Sequence, residues 1–255
     1  PTYTENHGYS ISGEAMYTKA FDISELQFGL QYQHNFAYND YVVYDETTSM
    51  SKDNIYAYAQ YVTMLGDKAS LVLGTGAKVF VVNDGLNTLS YVKNLSTLRL
   101  NYKINKKMSL SAVASLSPSL PSLGSLSTVM QRTDDVSANV GNADLKPYNT
   151  LSGRLQFNYN ASKIFYATAT AGYSHSFNPI VYTYYYNPEL NLFVNSPHNS
   201  DYYKTMYLYT KIGAKKLFEF LYISLTGNLR KQESKGIGFH HENLNFYSSV
   251  EVQAV

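Results

Sequence analysis

Few side chains in this chain are grouped as reactive centres are. Residues 239–243 read Phe-His-His-Glu-Asn, which offers two imidazoles and a carboxylate, the donor types of a zinc site. Neighbouring side chains of an extended chain point apart, so His240, His241 and Glu242 do not converge on one ion, and a plain polar loop is the expectation. Asp134-Asp135 is an acidic pair of the kind that could activate water, but it stands alone in a polar stretch. The Ser-rich run 115–135 lacks the spacing of a nucleophile elbow, and Pro118 and Pro121 end the strand before it. With no Cys there is no thiol nucleophile, thiolate metal site or disulfide framework. What remains suits binding: Tyr182, Tyr184, Tyr185 and Tyr186 could stack on sugars or other flat ligands, or simply form a Tyr-rich strand end. Lys78, Arg99, Lys103, Arg154, Gln156 and Asn158 fall on polar stripes that could contact a solute. No enzyme and no cofactor is expected.

The elements that must carry these residues are strands. Alternation with a period of two recurs through nearly all 255 residues, and helical periodicity is absent. Eleven strands are predicted, near 9–19, 25–44, 54–65, 69–82, 90–104, 108–117, 148–160, 164–184, 201–213, 217–230 and 244–255. In 97–104, Leu98, Leu100, Tyr102 and Ile104 oppose Thr97, Arg99, Asn101 and Lys103. In 151–159 the odd positions are Leu, Gly, Leu, Phe and Tyr, and the even ones are Ser, Arg, Gln and Asn.

Connections alternate in length. Those at 20–24, 66–68, 105–107, 161–163 and 214–216 are tight, whereas 45–53, 83–89, 118–147, 185–200 and 231–243 are longer. In an up-and-down antiparallel barrel alternate connections share an end, so one end would hold the turns and the other the loops. Parity fixes the hairpins, because facing residues must project to the same side. Apolar side chains at odd numbers in both 151–159 and 165–173 demand an odd-length turn, such as Ala161-Ser162-Lys163. Ile104 faces Met108 across Asn105-Lys106-Lys107. Parity reverses between 206–212 and 217–229, which an even-length turn around 213–216 satisfies.

Is the apolar stripe packed on a protein core or on lipid? Most of these strands run ten or more residues, as a tilted spanning strand needs (~9–11), whereas globular strands average about 5–6. Charged residues are only 15% of the chain and avoid the middle of the apolar stripe; a Lys or Arg facing lipid there costs ~2–4 kcal/mol. Glu219 is the exception, beside a tight turn. The 26 Tyr and 12 Phe collect toward strand ends, among them Tyr41, Tyr44, Tyr159, Phe165, Tyr173, Phe177, Tyr202, Phe218 and Phe246, where aromatic girdles sit. No run approaches the ~20 apolar residues of a spanning helix. A formal charge of +1 gives no argument for nucleic acid. The expected fold is therefore all-β, an up-and-down antiparallel transmembrane β-barrel in the outer membrane of a Gram-negative bacterium, with lipid as its partner. Residues 1–255 would be one barrel domain, and the odd strand number makes it part of a larger barrel. A soluble β-sandwich binding carbohydrate and an outer-membrane porin or barrel enzyme are the alternatives.

Gly141-Asn142-Ala143-Asp144-Leu145-Lys146-Pro147, followed by an alternating strand, resembles the GNxxLKPE segment of TonB-dependent outer-membrane receptors, most closely the large-barrel, starch-utilisation-type nutrient receptors. Tyr148 stands where that segment has Glu. The resemblance covers seven or eight residues; it implies that Gly141, Asn142, Leu145, Lys146 and Pro147 mark the junction of a long outer loop with a strand. It also implies a 22-stranded barrel, an N-terminal plug outside this chain, coupling to TonB, a surface lipoprotein that captures substrate, and import of a bulky nutrient such as an oligosaccharide, metal chelate or peptide.

Overall fold

The computed structural model describes residues 4–41, 46–83, 88–162, 164–236 and 238–254. Eleven strands form one sheet, each antiparallel to the next in chain order: β1 (Thr4–Ala20), β2 (Ser24–Tyr41), β3 (Glu46–Leu65), β4 (Ala69–Asn83), β5 (Thr88–Lys103), β6 (Met108–Ser119), β9 (Tyr148–Asn160), β10 (Phe165–Phe177), β13 (Tyr202–Leu217), β14 (Leu221–Gly236) and β15 (Phe239–Ala254). The intervening segments add a turn of helix, α1 (Leu123–Leu126), and a smaller sheet of β7 (Gln131–Arg132), β8 (Ser137–Asn139), β11 (Ile180–Asn187) and β12 (Leu192–Asn199). A single sequential meander this long is not a sandwich, which needs two sheets facing each other.

The register sorts the side chains into two faces. One row of directly opposed residues runs Leu71, Leu100, Ala112, Leu155, Ala171, Leu208, Leu229, Phe246 across eight strands. Five of these eight side chains are exposed, Leu155 at 48%, Leu208 at 47% and Phe246 at 72% among them. On the other face buried polar groups, Thr170, Thr205 and Ser224 among them, stand alongside Phe80 and Val82 toward one end. They are tied across strands by Ser115···Ser152 (2.8 Å), Thr150···Ser176 (2.8 Å), Gln60→Gln27 (3.0 Å) and Tyr166···Tyr222 (2.7 Å). A water-soluble sheet does the reverse, because exposing a large aliphatic side chain forfeits roughly 1.5–3 kcal/mol. Polar groups on the apolar face satisfy one another: Thr75, Ser96 and Asn94 through bonds of 2.6–3.3 Å, and Asp53 by accepting from Tyr32 (2.6 Å) and pairing with His34 (2.8 Å), as hydrocarbon surroundings require.

Turn geometry follows parity with two refinements. Ile104 and Met108 close the three-residue turn as expected, Ile104 N–H donating to Met108 at 3.0 Å. Asn160 faces Tyr166, an even sum as parity demanded, but the odd-length connection is five residues, 161–165, and not the three of Ala161-Ser162-Lys163; Lys163 itself lies outside the described residues. The reversal between β13 and β14 is not made by an even-length turn. The register shifts at a β-bulge between Ala214 and Leu217, and the turn itself is Phe218–Phe220, with Phe218 and Glu219 at φ 53° and 73°. The expected loops 45–53 and 231–243 are largely strand: β3 begins at Glu46, and Gly236 opposes Phe239 across a tight turn with Gly238 at φ 79°. Residues 84–87 of the 83–89 connection lie outside the described residues, as do Asp45 and the Tyr44 counted among the girdle aromatics. The strand expected over 164–184 breaks at Asn178 (φ 54°), beyond which β11 leaves the large sheet.

Candidate functional site

Two features combine: the polar face of the large sheet and a cap over one end of it. The cap is built by 120–147 and 178–201. β12 takes β11 on one side and β8, in parallel, on the other. Val82, on the polar face near the end of β4, is buried with Leu126 and Leu145 under Leu123 and Ile180. A second cluster, Ala138, Leu192 and Val194, with Met130 and Val140 against it, holds the small sheet together. Because Val82 faces Lys52 across the strand pair and lies four residues beyond Lys78 on the same side, the cap closes over the polar face and leaves the apolar one bare.

The Gly141–Pro147 segment is the latch of this cap. Gly141 N–H and Asn142 N–H donate to the carbonyls of Ser127 and Ser125, both at 2.8 Å. A Cβ on Gly141 would lie 2.2 Å and 2.7 Å from those two oxygens, so only glycine fits. The Asn142 side chain donates to Pro197 O (3.0 Å) and accepts from Asp144 N–H (2.9 Å). Lys146 N–H donates to Asn199 Oδ1 (2.8 Å), while Asn199 Nδ2 donates back to Lys146 O (3.0 Å) and to Asn178 O (2.8 Å). Leu145 and Pro147 are buried and the Lys146 side chain is exposed. The segment thus joins one long connection to the other.

The four tyrosines do not form one array. On β11, Tyr182, Tyr184 and Tyr186 share a side and Tyr185 takes the other. Tyr186 donates to Asn191 (2.6 Å) and packs on Phe193 with ring centres 5.4 Å apart. Tyr182 borders a polar hollow of about 310 Å³ with Gln131, Asn139, Asn195 and Pro197. Tyr184 and Tyr185 border another of about 280 Å³ with His198 and Phe239.

Lys78, Arg99, Lys103, Arg154, Gln156 and Asn158 all lie on the polar face. Arg99 faces Val113, which faces Arg154; Lys78 faces Lys93 and sits 5.3 Å from the Phe80 ring centre. Gln156 donates to Asn158 (3.1 Å), which also accepts from Thr168 (3.2 Å). Several glycines of this face are roofed by a tyrosine directly across: Tyr58 over Gly29, Tyr207 over Gly172 and Tyr166 over Gly213. Glycine here supplies floor space, and the ring lies flat against the sheet. That space is filled from within the wall.

The reactive-looking residues resolve into local contacts. His240 approaches Glu233 at 3.5 Å, Glu242 pairs with Lys231, and His241 points to the opposite face. Asp134 accepts the Val136 N–H at 2.8 Å, and hydrogen bonds from the Ser137 hydroxyl and that amide hold its carboxyl below the usual range. It closes a turn. Among the described residues no three His, Cys, Asp or Glu side chains gather as a metal site.

A meander whose apolar side chains face outward and whose polar face is crowded is the wall of a transmembrane barrel. The chain belongs to the outer membrane protein beta-barrel family, whose model matches residues 2–254. Among solved structures it is similar to the copper transporter OprC (TM-score 0.74, 12% identity, 96% of this chain and 42% of that one). It is also similar to the FrpB iron transporter of Neisseria meningitidis (0.62, 15%, 90% and 37%) and the siderophore receptor PirA of Acinetobacter baumannii (0.57, 11%, 98% and 48%). The chain thus spans less than half of each. No curated protein matches it in sequence.

Proposed function

We propose that this chain forms part of the barrel of a TonB-dependent receptor that imports a bulky nutrient across the outer membrane. The barrel is the conduit, and its polar face, including Lys78, Arg99, Lys103, Arg154, Gln156 and Asn158, lines the lumen against a plug or the passing solute. The cap, with Tyr182 and Tyr184–Tyr186 at its rim, meets the solute first. The observation that carries this reading is the cap's docking on the polar face at Val82: long connections fold over a prospective channel mouth. Support also comes from the likeness in fold to proteins named as transporters of copper and iron and as a siderophore receptor. The Gly141–Pro147 segment supports placement near the starch-utilisation-type group, for which a surface lipoprotein would be the capturing partner.

The test is genetic. Deleting the whole gene in its host should abolish growth on one nutrient from a panel of ferric chelates, copper, peptides and oligosaccharides, and deleting TonB should reproduce that loss. Uptake that survives TonB deletion would make the protein a passive porin and overturn the proposal.

A further inference from the structure

We propose that this wall selects anions, so that the solute it carries is negatively charged. The inference rests on the polar face lining the lumen, as proposed above. On the polar face of β4, β5, β6, β9, β10, β13 and β14 stand Lys78, Lys93, Arg99, Lys103, Arg154 and Arg230, and none has a carboxylate within ion-pair distance among the described residues. Lys211, a further cation there, reaches Glu251 on β15 at 3.6 Å. The same face of those seven strands carries no Asp or Glu of its own among the described residues. On the flanking strands this face does carry carboxylates, Glu14 on β1, Glu25 on β2 and Glu251 on β15, against a further cation, Lys52, on β3, whereas Asp53, Glu233 and Glu242 lie on the opposite face.

The placement is ordered. One row of opposed residues reads Arg99, Val113, Arg154, Gly172, Tyr207, Arg230. At ~4.8 Å between strands, Arg99 and Arg154 stand about 10 Å apart and Arg154 and Arg230 about 14 Å. Between the last two, Gly172 has no side chain and Tyr207 lies flat over it, so nothing tall separates the guanidinium groups. Higher on the wall Lys78 and Lys93 are directly opposed, an arrangement that destabilises a sheet. A narrow conduit with low-dielectric walls focuses such a field, concentrating anions and repelling free metal cations. Fixed guanidinium forks suit carboxylate, phosphate, sulfate or catecholate oxygens. An anionic metal chelate and an acidic oligosaccharide share that chemistry.

The test uses the intact polypeptide in a planar bilayer, its pore opened with urea. In a KCl gradient the reversal potential should show anion preference. Ferric citrate, oligogalacturonate or both should block the current, whereas neutral maltohexaose should not; which of the two blocks assigns the source of the charge. The R99Q/R154Q/R230Q variant should lose anion preference and weaken block by about tenfold or more, the sum of three modest exposed ion pairs, and R99K/R154K/R230K should retain both. An unchanged reversal potential in the glutamine variant, or block by maltohexaose equal to that by the anions, would overturn the proposal. A pore that carries no current at all refutes the conduit reading instead.

Discussion

If the apolar face meets lipid, a charge placed on it must cost far more than the same charge one residue along. Leu155 is the position to test. It lies five residues before Asn160, the last residue of β9 on the tight-turn side. At ~3.3 Å per residue and a tilt of 35–45°, that is about 12–14 Å of depth, the middle of an apolar band ~25 Å tall. Its cross-strand neighbours are Ala112 and Ala171, which offer no partner for a charge. Leu155→Arg should therefore lose the midplane penalty of ~2–4 kcal/mol, a factor of about 30 to 900 in the folding equilibrium. Gln156→Arg, at the same depth on the polar face, should change stability by less than ~0.5 kcal/mol. Reversible urea unfolding of the intact polypeptide in lipid vesicles measures both. Equal costs for the two variants, or a loss below ~1 kcal/mol for Leu155→Arg, would falsify the assignment of faces.

Gly141→Ala should displace Ser125 and Ser127 and free the cap: added protease should cut 120–147 faster on intact cells, with the urea midpoint of the barrel unchanged. Leu145→Ala empties a buried site between Val82 and Leu126 and should cost the cap about 2–5 kcal/mol, read as lost amide protection at 140–146 without change in the strands. Gly172→Val would place side-chain atoms inside the Tyr207 ring, so about 1–3 kcal/mol of barrel stability should be lost, and the Gly172→Val/Tyr207→Ala pair should recover part of it. Glu219 holds φ 73° in the turn after the bulge; Glu219→Gly should relieve that strain and raise stability by up to ~1 kcal/mol in the same urea assay.

The barrel wall was legible because a sheet with one face in lipid writes its period into the sequence. Leu98, Leu100 and Tyr102 against Arg99 and Lys103 could satisfy only one orientation. The departures arise where that pressure ends. Residues 46–53 and 231–243 are polar on both sides because they lie beyond the apolar band, and with the alternation gone their strand character was invisible, although the ladder continues through them. The bulge at 215–216 restores parity by a device that leaves no compositional mark among adjacent lysines. The cap was hidden for another reason: β8 meets β12 across more than fifty residues, and such long-range pairing has no local signature. Asn178-Pro179 was the available hint that 164–184 was two strands, since Asn tolerates the left-handed conformation and Pro cannot donate to a ladder.

The seven-residue segment behind the family resemblance also changes meaning. Beside its position at a loop-to-strand junction, its backbone and Asn142 bind within the chain. Gly141 admits two carbonyls that any side chain would exclude, Asn142 and Asn199 stitch two long connections together, and Leu145 plugs the cluster that seats the cap on Val82. A latch of this kind holds a cap over one face of the sheet, and the face it covers is the one carrying Lys78, Arg99, Arg154 and Arg230. On the proposed reading a solute must pass the cap before it meets those charges. Residues that merely loosen the cap should then change access, whereas Arg99, Arg154 and Arg230 should change charge preference. Comparing Gly141→Ala with the arginine variants separates the two, because the first leaves the reversal potential where it is.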